Sequence, residues 1–186
     1  MWNLPNLLTL LRIALIPVFV SVFYMPSEFS NIAAAAIFAF AAITDWIDGY
    51  VARRMGLATS FGEFLDPVAD KLIVVVALIM LVEVHGTLLI AVPAMIIIGR
   101  EIVISALREW MSKIGSPNVV AVSFAGKIKT WAQMIAVVVL LVAEPGETGL
   151  VLLGYFAIYV AAVLTISTMV SYLRQAMPHL SDHLEQ

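Results

Sequence analysis

The chain has 186 residues, of which 62% are hydrophobic and 12% charged, with a formal net charge of −3. A soluble domain of this size cannot bury so much apolar surface, so lipid must cover much of it. The absence of cysteine excludes a disulfide framework and thiol chemistry, and no nucleic-acid partner is expected.

Apolar runs predict spans at roughly 7–24, 31–50, 67–83, 87–111, 124–143 and 149–173, since about 20 residues cross a ~30 Å hydrocarbon core. They occupy nearly the whole chain, so residues 1–186 read as a single all-α membrane domain of six transmembrane helices. The first span contains Arg12 and is not followed by a small-residue cleavage pattern, which argues against a signal peptide. With Pro5 and Pro17, this segment can begin as an interfacial helix lying along the membrane. The second span carries alanines at 33–36, 39 and 42, a small-residue face that suits a central place in a bundle.

Between the second and third spans the chain reads TDWIDGYVARRMGLATSFGEFLDPVADK, from Thr44 to Lys71. Ser60 with Glu63 forms a capping box that starts the third helix early. Asp66 followed by Pro67 offers a later start. The earlier start is preferred; it places Gly62 and Asp66 on one face and makes Pro67 a kink. The fourth and fifth spans carry Arg100, Glu101, Arg108, Lys127 and Lys129, and Lys113 reads as ordinary cytoplasmic charge. His179 and His183, four apart near the C-terminus, read as a solvated tail. His85 reads as an outer-loop residue, and the methionines as lipid-facing or packing side chains.

Charge placement orients the spans. The ten Lys and Arg avoid the connections 25–30, 83–87 and 144–148, each of which contains glutamate. Basic loops stay in the cytoplasm, so these three connections face outward and both termini face inward. Trp2, Trp110 and Tyr172 then lie near inner boundaries and Tyr24 near an outer one. Counting inward at about 1.5 Å per residue, Asn31 to Asp45, Glu83 back to Asp70, Thr87 to Arg100, and Glu144 back to Lys129 cover 14, 13, 13 and 15 steps. Four helices thus reach their first ionisable residue at a similar depth. Facing lipid, each such charge would cost about 2.5–3.5 kcal/mol. The expectation is a polar cavity inside the bundle, open to the cytoplasm.

Asp45 and Asp48 are three apart, and Asp66 and Asp70 four apart, so each pair shares a helix face. Four carboxylates around one volume would repel strongly unless balanced. Two divalent cations would balance them, and an all-oxygen set without histidine or cysteine favours Mg²⁺ or Mn²⁺. Two such ions suit phosphoryl chemistry. Arg100 and Arg108, eight residues apart, can share one face. Together with Lys127 and Lys129 they suggest a second, phosphate-bearing substrate, with Glu101 a possible partner for Arg100.

The spacing D-x2-D-G-x2-A-R-x8-G-x3-D-x3-D is filled by Asp45, Asp48, Gly49, Ala52, Arg53, Gly62, Asp66 and Asp70. It resembles the motif of the CDP-alcohol phosphatidyltransferases at every position. NLPNLLTLLRIALIP at 3–17, GREIVISALREW at 99–110 and AGKIKTWAQM at 125–134 are similar to the bacterial phosphatidylglycerophosphate synthase branch of that family. The resemblance implies transfer of the phosphatidyl group of CDP-diacylglycerol to glycerol 3-phosphate, with release of CMP. It implies that Asp45, Asp48 and Asp66 hold the metals, with Asp70 beside them as general base. It places Asp48, Gly49, Ala52, Arg53 and Gly62 along the donor, and leaves Arg100, Arg108, Lys127 and Lys129 for the acceptor phosphate. It further implies a homodimer in a bacterial inner membrane, working on its cytoplasmic side. Alternatives are the same chemistry on inositol phosphate, serine or phosphatidylglycerol, or a cation transporter. The apolar outer ~20 Å of helices two to five opposes a transporter, which needs a polar route to both sides.

Overall fold

The computed structural model describes the backbone of residues 4–55, 60–116, 124–143 and 148–184. Side chains are described over the same residues apart from 4–5, 45–55, 60–61, 63–64, 124–125, 127, 148 and 179–184. All elements among them are helices: α1 (Leu4–Phe23), α2 (Ser30–Met55), α3 (Ser60–His85), α4 (Leu88–Lys113), α5 (Phe124–Val142) and α6 (Thr148–Leu184). Three contain stretches long and apolar enough to cross a membrane, Asn6–Phe23, Leu88–Lys113 and Gly149–Pro178. Shorter apolar stretches lie at Ser30–Thr44 and Ile128–Val142. The reason is legible in the chain: charged residues begin at Asp45 in α2 and end at Lys129 in α5, so each apolar run stops short of its helix.

α1 runs unbroken through Pro17, with no separate N-terminal helix among the described residues. α3 begins at Ser60 and carries Pro67 within it, as the capping box predicts. His85, expected in a loop, is instead the last residue of α3 and is half-buried. Burial lowers its pKa, and a hydrogen bond with the Leu140 backbone opposes that shift.

The helices divide into two compact units. One comprises residues 1–86 and 137–154, the other residues 87–136 and 155–186. In the first, α1, α2 and α3 pack on one another. The buried face of α2 is Ala34, Ala35, Phe38 and Ala41. That face is rotated from the expected alanine stripe because Phe38 reaches Phe19 of α1, with ring centroids 6.2 Å apart. Tyr24 Oη donates to Glu83 Oε2 at 2.8 Å, joining the ends of α1 and α3. Where α6 begins, Gly154 lies so close to Leu140 of α5 that a Cβ there would come within 2.5 Å of Leu140 Cδ2. Small residues permit such close helix approach in lipid.

The second unit has a cluster of Ile104, Met111, Tyr172 and Ala176, packed by Leu107, Trp110, Ile114 and Met169. Elsewhere large apolar side chains point outward, among them Phe29, Leu88, Ile102, Phe156 and Val163. That exterior suits lipid and would be unfavourable in water.

Candidate functional site

α1 brings a polar stripe into the first unit. Asn6, Thr9 and Arg12 recur every three residues, and all three are buried. Polar side chains in an apolar helix are costly to bury unless they are bonded. Thr9 Oγ1 donates a short hydrogen bond to Asp66 Oδ1, and Arg12 Nη2 lies 3.9 Å from the same oxygen. The Arg12 side chain is 1% exposed and that of Asp66 39%. The carboxylate is thus anchored through one oxygen by residues of α1, while the residue keeps access to solvent. Asp70 follows one turn later on α3 and is also half-buried; Gly62, one turn before Asp66, is buried.

The rest of the predicted donor and metal set falls on the last three turns of α2. The backbone there is helical through Met55, so Asp45 and Asp48 keep the spacing of one face. The side chains of Asp45, Asp48, Gly49, Ala52 and Arg53 lie outside the described residues. Among the described residues, no three of His, Cys, Asp or Glu come together as a metal site.

The second unit holds the cations. Glu101 Oε1 accepts from Arg100 Nη1 at 2.9 Å and from Lys129 Nζ across the α4–α5 contact. Arg100 is 7% and Lys129 2% exposed. The expected partnership of Arg100 with Glu101 is present, and Lys129 joins it. The guanidinium carbons of Arg100 and Arg108 lie 6.0 and 5.7 Å from the ring centroid of Tyr172 on α6, so the two arginines do share a face of α4. The side chain of Lys127 is outside the described residues. Lys113 pairs with Glu109 at 2.8 Å on the surface, an i,i+4 contact of small energetic weight.

Other polar groups of α5 and α6 are buried too. Gln133, one turn beyond Lys129, is buried, as are Thr165 and Thr168 of α6. Thr168 donates to its own helix at Leu164 and Thr165. Arg100 Nε, Gln133 Oε1 and Thr165 Oγ1 are buried with no hydrogen-bond partner among the described residues. Buried groups of this kind favour a bound polar ligand or water.

Two roles were not read from the sequence. The signal for Thr9 was the N-x2-T-x2-R spacing in an apolar helix. The signal for Tyr172 was absent, since an aromatic near a span end usually marks an interface.

The chain matches the CDP-alcohol phosphatidyltransferase family profile over residues 2–168. It belongs to that family. The match includes every position of the Asp45–Asp70 motif and both ionic centres up to Lys129. Members of the family similar to it include a Pseudomonas fluorescens protein, 54% identical over 96% of this chain and 92% of that one. Another, from Pectobacterium atrosepticum, is 51% identical over 97% and 98% of the two chains. A third, from Escherichia coli K12, is 49% identical over the same shares. All three are named CDP-diacylglycerol–glycerol-3-phosphate 3-phosphatidyltransferase.

Proposed function

We propose that this membrane protein transfers the phosphatidyl group of CDP-diacylglycerol to glycerol 3-phosphate, giving phosphatidylglycerophosphate and CMP. The observation that carries the reading is the complete eight-position motif, from Asp45 to Asp70, in a chain that matches the family profile over residues 2–168. The likeness to three relatives named for the glycerol 3-phosphate reaction supports the acceptor.

The donor set fits two divalent cations, because it offers only oxygen ligands and the anchored Asp66 is partly open. Asp45, Asp48 and Asp66, with Asp70 beside them, would hold Mg²⁺ or Mn²⁺, which when bound neutralises charge developing on the two phosphates. Thr9 and Arg12 orient Asp66 through Oδ1. Gly49, Ala52, Arg53 and Gly62 line the cytidine diphosphate moiety. Asp70 takes the proton of the acceptor hydroxyl as that oxygen bonds to the phosphatidyl phosphorus. The bond from that phosphorus to the bridging oxygen breaks, and CMP leaves with the electron pair. Arg100, Arg108, Lys127 and Lys129 hold the acceptor phosphate by charge-assisted hydrogen bonds. Arg100 Nε, buried and without a described partner, is a donor suited to this task.

The expected setting is a bacterial inner membrane crossed six times around a cytoplasm-facing polar cavity, with both termini inside, in a homodimer. Cysteine in place of Glu28 should react with an impermeant maleimide from outside intact cells, and cysteine in place of Met55 should not. The reverse pattern would invert this topology.

The deciding experiment presents purified protein with CDP-diacylglycerol and one alcohol at a time: glycerol 3-phosphate, inositol phosphate, serine or phosphatidylglycerol. CMP release should require glycerol 3-phosphate, stop on chelation and return with Mg²⁺ or Mn²⁺. Release with another alcohol and none with glycerol 3-phosphate would move the chain to a sister reaction. Release unaffected by chelation would remove the two-metal reading.

A further inference from the structure

Arg100 Nε, Gln133 Oε1 and Thr165 Oγ1 are buried with no hydrogen-bond partner among the described residues. The three residues are 7%, 3% and 0% exposed. A buried polar group left unsatisfied is destabilising, so each such group needs a reason. They stand on three different helices of the second unit, α4, α5 and α6.

Helix register brings them to one level. Thr87 Oγ1 lies 3.3 Å from Tyr155 Oη, and the Tyr172 ring lies against Arg100 and Arg108, which flank Ile104 evenly. Thr87 and Tyr155, like Ile104 and Tyr172, are 68 positions apart, so α4 and α6 run parallel in a single register. In that register Thr165 is level with Ile97, about one turn from Arg100. Thr165 also precedes Tyr172 by two turns and so shares its α4-directed face. On α5, Lys129 faces α4 through Glu101, and Gln133 follows four residues later on the same face. The proposed topology runs α5 against α4, which makes Gln133 level with Ile97 as well. Ile97 itself is 0% exposed. The three groups thus belong to one buried level of the unit, around residues 97–101 of α4.

The chemistry at this level differs from that of the cations. Gln133 Oε1 accepts a hydrogen bond, and Thr165 Oγ1 both donates and accepts. Neither carries charge, so the pair suits a hydroxyl rather than a phosphate. Glycerol 3-phosphate separates its phosphate from its hydroxyls by a length comparable to one helical turn, ~5.4 Å. One of its two hydroxyls must reach the donor phosphorus. The other, on C2, takes no part in bond making and is left to be recognised.

We propose that Gln133 and Thr165 bind the C2 hydroxyl of the acceptor. That hydroxyl donates to Gln133 Oε1 and accepts from Thr165 Oγ1, one turn from the cations that hold the phosphate. The proposal rests on the reading of glycerol 3-phosphate as acceptor, with its phosphate at those cations. It makes two uncharged residues outside the motif determinants of acceptor choice.

The test removes the hydroxyl from the substrate and its partners from the protein. CMP release is measured with the protein reconstituted in lipid, using glycerol 3-phosphate or 3-hydroxypropyl phosphate, which lacks the C2 hydroxyl. The unaltered protein should favour glycerol 3-phosphate roughly a hundredfold or more in kcat/KM, because the deoxy analogue leaves buried polar groups unpaired. Gln133→Met and Thr165→Val nearly keep side-chain volume and each delete a hydrogen-bonding group. Each should cut that preference roughly tenfold, through slower use of glycerol 3-phosphate, and Thr165→Ser should restore it. No preference in the unaltered protein overturns the proposal and leaves the reaction standing. Equal losses with the two alcohols in both variants make the groups supports of the fold and also overturn it. CMP release with serine or inositol phosphate, and with neither glycerol 3-phosphate nor its analogue, overturns the acceptor reading and this proposal together.

Discussion

Asp66 and Glu101 are both carboxylates held by buried cations and both are the more exposed partner, yet one meets a single cation and a hydroxyl while the other bridges two cations. Around Asp66, the buried members are Arg12 and Thr9, and the carboxylate is the more exposed partner, at 39%. Around Glu101, the carboxylate is 20% exposed and bridges Arg100 and Lys129, which are nearly inaccessible. In the first unit the support is a cation and the presented group is an anion. In the second one carboxylate joins two buried cations, and Arg100 also lies near the ring of Tyr172. A charge in a low-dielectric setting needs a partner to be tolerated, but each bond to a partner removes a donor or acceptor from service. The first centre resolves this by engaging one carboxylate oxygen. The second satisfies two cations at once, because Arg100 and Lys129 both donate to Glu101 Oε1.

The sharpest way to break the comparison is to neutralise the presented anion. Asp66→Asn keeps shape and removes the charge a metal would need. Turnover should fall by roughly three powers of ten or more, since metal charge stabilisation is worth several kcal/mol and ~1.4 kcal/mol is tenfold. CMP release at saturating metal measures it. Near-normal turnover would show that Asp66 is held for structure alone.

Neutralising a cation of the second centre should act on binding instead. Charge-assisted hydrogen bonds contribute about 1.5–3 kcal/mol, so Lys129→Gln and Arg108→Gln should each raise the glycerol 3-phosphate KM roughly ten- to a hundredfold. Lys129 should give the larger change, because it is buried and its loss also leaves Glu101 with fewer partners. A shift confined to the CDP-diacylglycerol KM would assign these cations to the donor.

The smallest effect is expected from the support itself. Thr9→Val is nearly isosteric and deletes only the hydroxyl that bonds Asp66. At about 1 kcal/mol, the metal concentration for half-maximal CMP release should rise roughly fivefold, and Thr9→Ser should restore it. No change in Thr9→Val would mean that the hydroxyl has no part in orienting the carboxylate.

Much of this was legible in the chain. Apolar length and the scarcity of charge determined a helical membrane protein. The local spacing of the Asp45–Asp70 stretch grouped its aspartates into two same-face pairs, because residues three and four apart share a helix face whatever surrounds the helix, and the donor was implied by the family resemblance that the stretch carries. The Ser60/Glu63 pattern pointed to a helix start ahead of Asp66, and the described backbone is helical from Ser60. The eight-residue interval put Arg100 and Arg108 on one face for the same local reason. What local rules do not reach is the choice of partner between helices. Nothing in the apolar pattern of α1 said that Thr9 and Arg12 would meet Asp66, 57 and 54 positions later. Tyr172 had the sequence setting of an interfacial aromatic, and only packing against Ile104, Met111 and Ala176 turned it toward two arginines. Lys129 was read from the sequence as a cation at cavity depth, and only the approach of α5 to α4 gave it Glu101. Periodicity states which residues of one helix face the same way. Which neighbour receives that face depends on side-chain volume and on satisfying every buried charge at once, and those conditions exist only in the folded chain.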